Sequence, residues 1–402
     1  MLSARVPPRW RPNRVARALG RLRARSAALI DLTESNPTRV GLCYPPGILD
    51  ALADESGLAY DPQPRGLAVA REAVARHLGR QGVRIDPSRV VLSAGTSEAY
   101  SRLFTLLCDP GDEVLVPRPG YPLLDHLTRL DGITPRPYPL DYHGTWEIDG
   151  DALERCVTPR TRALVVVNPN NPTGSYLSAA DRALVRAVCR RHGLALIADE
   201  VFLRYALDGE APARPATRLA PARGRSVVGR MDGVLTFGLG GLSKEVGLPQ
   251  LKLAWIVVDG PLRAAARALR ALEFVSDAYL SVAAPVQLAA GRLLEDGDTV
   301  ARSIAARVRR NREVLRGRVA EHPAHTLLRI DGGWYAVVQV PATQPEEALV
   351  LDLIEHERVV VHPGYLYDFP REAFVVLSLL PAPRPFEDGV ARLLTRAAGA
   401  AA

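Results

Sequence analysis

Lysine is scarce in this chain, and its positions suggest chemistry. Of the 51 lysine and arginine residues in the 402-residue sequence, all but Lys244 and Lys252 are arginines. Arginine keeps its proton in proteins, whereas a buried lysine can lose its proton and act as a nucleophile. The neighbours of Lys244 in GLSKEVGLP include Gly, Leu, Val and Pro, and such an apolar setting lowers the pKa of an amine. We therefore expect Lys244 to work as a neutral amine.

Three further polar motifs follow apolar runs that favour β-strands. Gly95, Thr96 and Ser97 follow RVVLSA and open a helix, so their N–H groups and hydroxyls can bind a phosphate, with a plain helix N-cap as the alternative. Asn171 lies in NPNNPTG, which predicts a rigid turn with or without a further role. Asp199 ends LALIAD, where a buried carboxylate needs a cation.

A phosphate-binding loop, an amide, a carboxylate and an amine are together the groups that hold pyridoxal 5'-phosphate. The carboxylate keeps the ring nitrogen protonated, the amide binds the phenolic oxygen, and the lysine forms a Schiff base. In an open α/β sheet, ligands bind at the carboxyl ends of the strands, where all four motifs fall. Each motif is weak alone, and their order and spacing carry this prediction.

Alternating strands and helices position these motifs. From about residue 88, apolar runs rich in β-branched residues alternate with helices, which predicts a mostly parallel sheet covered on both faces. A long helical stretch from 283 to about 320 precedes strand-like runs between about 325 and 402, which predict a smaller α+β domain. We expect the N-terminal arm, residues 1–45, to pack on that smaller domain.

The composition is that of an ordinary globular protein, with 47% hydrophobic and 24% charged residues and a net charge of +7. No apolar run reaches the ~18 residues of a membrane helix, and the arginine-rich N-terminus lacks the apolar segment of a secretory signal. The positive charge comes without a helix-turn-helix, zinc-finger or aromatic-stacking pattern, which disfavours nucleic-acid binding. The cysteines lack metal-ligand and redox-pair spacing, which indicates reduced thiols in a cytoplasmic protein without a metal site: Cys43, Cys108, Cys156 and Cys189.

From about residue 30 to the C-terminus, the sequence resembles the class I and II pyridoxal-phosphate aminotransferases, which have the aspartate aminotransferase fold. The motifs that carry the resemblance are SAGTSEA, PRPGYP, NNPTG, ADEV and LSK. It implies an α/β fold whose large domain has a mostly parallel seven-stranded sheet covered by helices. It also implies three parts: an N-terminal arm with part of the small domain (1–45), the large cofactor-binding domain (46–282), and an interdomain helix with the small α+β domain (283–402).

The resemblance assigns roles around the cofactor ring. Lys244 matches the Schiff-base lysine, which also moves the substrate's α-proton. Asp199 matches the carboxylate paired with the pyridine nitrogen, and Asn171 matches the amide that binds the ring hydroxyl. Tyr121, in PRPGYP, matches the aromatic residue stacked on the ring. The activity implied is transfer of an amino group from an amino acid to a 2-oxo acid.

The resemblance also assigns a phosphate site. Gly95, Thr96 and Ser97 match the phosphate-binding loop, and Lys252 stands where relatives have an arginine. Tyr60 matches the tyrosine that reaches the partner subunit's phosphate, although the segment from Tyr60 to Gly66 is one residue longer than usual. This match implies a homodimer whose two subunits share their active sites.

Several positions depart from the family pattern. Phe202 replaces a tyrosine that bonds the ring oxygen, so the Schiff base should keep its proton to higher pH. Gly241 replaces a serine, and Val376 stands where relatives have the arginine that binds the substrate carboxylate. A carboxylate in a dry pocket needs a bidentate partner. The residues that could replace that arginine, each with a plain surface position as the alternative, are Arg39, Arg65, Arg118 and Arg384; we favour Arg39 and Arg65, with Asn36 beside them.

Two other functions remain open at this point. Phe202 and Val376 are also compatible with a pyridoxal-phosphate lyase or an oxidase acting on an amino acid. A transcription regulator with an aminotransferase-like sensor domain would need a DNA-binding domain of ~60–80 residues before the match, and about 30 residues precede it here. The sequence does not identify the amino donor or the oxo-acid acceptor.

Overall fold

The structure is a computed structural model that describes residues 3–7, 11–207 and 225–399. Its α-helices within these residues are α1 (Arg14–Ala24), α2 (Ala68–Arg80), α3 (Thr96–Leu107), α4 (Leu123–Asp131), α5 (Gly150–Cys156), α6 (Ala179–His192), α7 (Leu242–Glu245), α8 (Leu262–Asp277), α9 (Ala284–Leu288), α10 (Ala290–Asp296), α11 (Asp298–Ala320), α12 (Glu346–Asp352) and α13 (Pro383–Gly399). Its strands are β1 (Ile30–Asp31), β2 (Val90–Ser93), β3 (Glu113–Arg118), β4 (Thr134–Tyr142), β5 (Trp146–Ile148), β6 (Thr161–Val167), β7 (Ala195–Asp199), β8 (Thr236–Gly241), β9 (Ala254–Asp259), β10 (Thr326–Leu327), β11 (Tyr335–Gln339), β12 (Val359–Val360), β13 (His362–Pro363) and β14 (Phe374–Ser378).

The large sheet has the strand order β2-β9-β8-β7-β6-β3-β4-β5. The strands from β8 to β4 in this order run parallel, whereas β9 pairs antiparallel with β2 and β8, and β5 pairs antiparallel with β4. The α/β fold with helices around a mostly parallel sheet is therefore confirmed. The described residues give this sheet eight strands where we predicted seven, because the three-residue β5 adds a short edge strand.

Strand β4 has an unusual sequence for a sheet, since TPRPYPLDY places Pro135, Pro137 and Pro139 at every second position. Alternate residues of a strand direct their N–H groups to the same edge, so these prolines lack donors along one edge only. Residues 134–139 of this strand pair with β3 on one side, and β5 pairs on the other side only from Leu140 onward. The proline spacing thus explains both why β4 forms and why the sheet nearly ends there.

A second sheet of order β10-β11-β14-β13 is antiparallel and lies in the C-terminal part of the chain. Ile30 of β1 pairs in parallel with Val359 of β12, so the N-terminal segment is hydrogen-bonded to the C-terminal part. The predicted helical stretch from 283 is three helices, α9 to α11, of which α11 spans 23 residues. Among the described residues, no helix combines the length and the apolar character needed to cross a bilayer.

Successive side chains of the central strands point to opposite faces of the large sheet, and they form a hydrophobic core on each face. Leu92 and Trp255 pack on one face with α2 and α10, and Val91 and Ile256 pack on the other with α3 and α8. All four side chains are at most 2% exposed. Because both faces are covered, the open ends of the strands are where polar side chains can meet a ligand.

Candidate active site

The two residues that we expected to carry the chemistry lie at the ends of neighbouring strands. Asp199 is the last residue of β7, and Lys244 lies in the one-turn helix α7 that begins directly after β8. Strands β7 and β8 are parallel neighbours, so both side chains emerge at the same edge of the sheet. They line one cavity of about 140 Å³, together with Thr96, Tyr121 and Asn171.

Asp199 is held by two hydrogen bonds. The hydroxyl of Tyr100 donates to its Oδ2 at 3.0 Å, and the backbone N–H of Val201 donates to its Oδ1 at 3.2 Å. Burial raises the pKa of this carboxyl, while the two donors and Lys244 oppose the rise. The carboxylate is therefore fixed in orientation inside an apolar site, where a cationic partner stabilises its charged form.

Lys244 has the lowered pKa that its sequence neighbours predicted. Burial lowers the pKa of its amine to about 8, against the negative charges of Asp199 and Glu34. The Nζ atom lies 5.0 Å from the centroid of the Trp334 ring and 5.8 Å from that of Phe202. An amine with this pKa is partly neutral near pH 8, as a nucleophile requires.

A candidate phosphate site lies at the N-terminus of α3. Gly95 precedes the helix, Thr96 and Ser97 form its first turn, and Ser97 is exposed. A Cβ atom added to Gly95 would come within 3.1 Å of the Lys252 Nζ, so the second lysine amine lies beside this helix end. Lys252 has φ +52°, in the left-handed region, where a residue other than glycine costs about 1–3 kcal/mol. The amine of Lys252 thus lies beside a helix N-terminus, which attracts anions.

Asn171 and Tyr121 complete the set of residues that could hold a cofactor. Asn171 is 6% exposed, and among the described residues its Oδ1 has no hydrogen-bond partner. Tyr121 lines the cavity with 42% of its surface exposed, which leaves ring area for stacking. A helix N-terminus beside a lysine amine, a buried amide without a partner for its oxygen, and a carboxylate and an amine lining the same cavity fit the chemistry of pyridoxal 5'-phosphate.

The predicted substrate-binding residues do not line this cavity in the described structure. The Asn36 side chain accepts from the backbone N–H and the hydroxyl of Thr38, and Arg39 is exposed. The Arg65 guanidinium donates to the Ser88 carbonyl and lies 3.5 Å from Glu273. The binding of substrate by these residues stays a prediction.

The other two arginines that the sequence suggested, Arg118 and Arg384, do not line this cavity either. Arg118 pairs with Asp125 at 2.5 Å and with Asp368 at 2.6 Å, and Arg384 is exposed. Val376 is fully buried in β14. The exposed Tyr60 lines a different cavity of about 320 Å³ on the surface.

Sequence reasoning missed several residues around the cavity. Tyr100 lies four residues after Thr96, one helical turn along the same face of α3, and that spacing was a usable signal. Tyr335 begins strand β11 of the C-terminal sheet and lines the cavity, and Trp334 directly precedes that strand. No local pattern placed these two beside Lys244, because only the packing of the C-terminal part against the large sheet brings them there.

Comparison with known proteins decides the family. The model of the family "Aminotransferase class I and II" matches residues 28–377, most of the chain. The chain belongs to this family. The alanine aminotransferase of Mycobacterium tuberculosis is 29% identical over 387 residues, 93% of this aminotransferase and 86% of that relative. The glutamate-pyruvate aminotransferase of Escherichia coli is 26% identical over 358 residues, 87% and 85% of the two chains.

A solved structure agrees with this assignment. The crystal structure of an Escherichia coli aminotransferase superimposes with a TM-score of 0.83 at 25% identity and covers 96% of this aminotransferase and 95% of that chain. The predicted family, fold, pyridoxal 5'-phosphate cofactor and transaminase activity are thereby confirmed. The sequence left a lyase or oxidase and a transcription regulator open as alternatives. The relatives favour amino-group transfer over both of them.

Proposed function

We propose that this aminotransferase moves amino groups between small α-amino acids and 2-oxo acids, and that alanine, glutamate and pyruvate are the first substrates to test. The observation that carries this proposal is the meeting of Lys244 and Asp199 at one small cavity, at the ends of adjacent strands. The choice of substrates follows the activities for which the two relatives are named, an alanine aminotransferase and a glutamate-pyruvate aminotransferase.

The side chains divide the work around the cofactor. Asn171 and Tyr121 would hold the ring, and Asp199 would keep its nitrogen protonated. When bound, the cofactor supplies a sink for the electron pair left at the substrate's α-carbon. The Nζ of Lys244, with its pKa lowered to about 8, would take the α-proton and return it, since a base is most effective when its pKa lies near the working pH.

The phosphate would be bound by the N-terminus of α3 and by a cation. Gly95, Thr96 and Ser97 offer free N–H groups and two hydroxyls there, and the Lys252 amine lies beside Gly95. The positive end of the helix and the ammonium both attract an anion. The phosphate would thus fix the position of the ring relative to Lys244.

A homodimer is the proposed assembly, with Tyr60 reaching the partner subunit's phosphate. Leu58 is 90% exposed and Tyr60 is 84% exposed, and both line a surface cavity with Leu280. Phe274 and Tyr279, on the same part of the chain as Leu280, are 81% and 69% exposed. Large apolar side chains clustered on a surface mark an interaction site. A second copy of the chain is the proposed partner, because Tyr60 matches the family tyrosine that reaches the other subunit.

We also propose a cytoplasmic location and the division of the chain at 1–45, 46–282 and 283–402. The four cysteines are free thiols, which suits a reducing compartment.

Ultracentrifugation of the purified protein tests the proposed homodimer. Tyr60→Phe should weaken the binding of pyridoxal 5'-phosphate if the Tyr60 hydroxyl reaches the phosphate of the partner subunit.

Nitrogen tracing tests the proposed reaction. The purified protein is given alanine with an isotope-labelled amino group together with 2-oxoglutarate. Amino transfer predicts that the label appears in glutamate, that pyruvate forms in equal amount, and that no labelled ammonia is released. The variant Lys244→Ala is the control and should give no product. Labelled ammonia without labelled glutamate would contradict transfer and support a lyase or an oxidase.

A further inference from the structure

The helix that carries Lys244 is too short to support itself. Helix α7 has four residues, so the carbonyls at its C-terminal end need partners from outside the helix. The hydroxyl of Tyr205 donates to the Lys244 carbonyl at 2.7 Å. The guanidinium of Arg204 donates to the Glu245 carbonyl at 3.0 Å. Arg204 and Tyr205 come five and six residues after Asp199. These bonds therefore connect the segment that carries Asp199 to the segment that carries Lys244.

The side chain of Glu245 adds a buried ionic contact to the same two segments. Glu245 is 4% exposed and Arg204 is 5% exposed, and the Arg204 Nε lies 3.5 Å from a Glu245 carboxylate oxygen. His77 of α2 lies 2.8 Å from that oxygen, and Gln81 donates to it as well. The other end of Arg204 bonds Asp298, at the start of α11. A buried carboxylate without these partners would be strongly destabilising.

We propose that Arg204, Tyr205 and Glu245 form a clamp that fixes the segment carrying Lys244 against the segment carrying Asp199. They are positioning residues, because none of the three lines the described cavity. This inference rests on the proposed roles of Lys244 and Asp199. The clamp matters because reacting groups displaced by about 1 Å can lose about a hundredfold in rate.

The variant Glu245→Gln tests the clamp, since it keeps the size of the side chain and removes its charge. We expect kcat to fall about tenfold or more while KM stays within about twofold. We also expect a weaker affinity for pyridoxal 5'-phosphate and a shifted pH midpoint for the visible absorbance of the holoenzyme. The variants Arg204→Met and Arg204→Met/Glu245→Gln complete a double-mutant cycle, and a single clamp predicts effects that do not add.

Glu113→Gln is the matched control. Glu113 is 2% exposed and pairs with Arg160 at 3.1 Å, at the start of β3 and at the opposite end of the sheet from the site. Its replacement should cost stability and leave kcat, cofactor affinity and the absorbance midpoint unchanged. Equal changes in both variants would show a general loss of stability and overturn the clamp.

Tyr205→Phe keeps the test decisive if Glu245→Gln fails to fold. It removes the bonds from this hydroxyl to the carbonyls of Lys244 and Glu245 and leaves the ion pair between Arg204 and Glu245 in place. The proposal is overturned if Tyr205→Phe, or a folded Glu245→Gln, retains the kcat and the absorbance midpoint of the unaltered enzyme. If the unaltered enzyme transfers no amino group, the proposed function fails, whereas cofactor affinity and absorbance still report on the clamp.

Discussion

The amine of Lys244 should titrate near pH 8 in the cofactor-free protein. Burial lowers its pKa from 10.5 to about 8, although Asp199 and Glu34 oppose the change. At about 1.36 kcal/mol per pKa unit, the surroundings favour the neutral amine by about 3 kcal/mol. At pH 7 about one molecule in ten then carries a neutral amine, compared with about one in 3,000 for an unshifted lysine. The structure thus makes the nucleophile roughly 300 times more abundant.

The scarcity of lysine makes this pKa directly measurable. Protein grown with carbon-13-labelled lysine should give side-chain NMR signals from only Lys244 and Lys252, and Lys252→Arg assigns them. The Lys244 signal should titrate with a midpoint near 8. In Asp199→Asn that midpoint should fall further, because the variant removes a charge that raises the pKa. A Lys244 midpoint near 10.5, or an upward shift in Asp199→Asn, would show that burial does not lower this pKa as the structure predicts.

The pH dependence of the free energy of unfolding tests the lowered pKa of Lys244 independently. Because the folded-state pKa of Lys244 lies below its unfolded value, the unfolded chain binds more protons between pH 8 and 10.5. The cofactor-free protein should therefore gain stability across that range, by up to about 3 kcal/mol relative to Lys244→Met. Urea unfolding of both proteins at several pH values measures this difference. Parallel pH curves for the two proteins would contradict the shift.

Three further predictions concern the cofactor site. Gly95→Ala should raise the dissociation constant of pyridoxal 5'-phosphate about fivefold, a cost of ~1 kcal/mol, because its Cβ would crowd the Lys252 amine; titration of the cofactor-free enzyme measures this, and unchanged affinity would contradict it. Phe202→Tyr should lower the pH at which the visible absorbance of the holoenzyme titrates, since it restores a hydroxyl beside the ring oxygen; a spectrophotometric titration with a raised midpoint would oppose this. Asp199→Asn should reduce kcat about a hundredfold or more in steady-state kinetics, whereas Glu113→Gln should not.

Most of the large sheet followed from the sequence, because its strands are apolar runs separated by amphipathic helices. RVVLSAG and LALIADEV contain β2 and β7. Strand β4 was missed, since its three prolines argue against a strand when the edge on which they fall is unknown. That edge is set by the neighbours β3 and β5, which are tertiary partners.

Residue types and their order along the chain were enough to identify the reactive groups of the site. Asp199 ends a strand, Lys244, Asn171 and Gly95 each come shortly after one, and a parallel sheet brings the carboxyl ends of its strands together whatever the details of packing. The chemistry was therefore readable from residue type and order.

The pKa values of those groups and the contacts that position them depend on tertiary packing. The pKa of Lys244 depends on burial, including the rings of Phe202 and Trp334, and Trp334 is distant in sequence. The contact between Arg204 and Glu245 joins segments that are 41 residues apart. Burial and charge pairing depend on distances in space, and those distances are fixed only when the two sheets and their helices pack together.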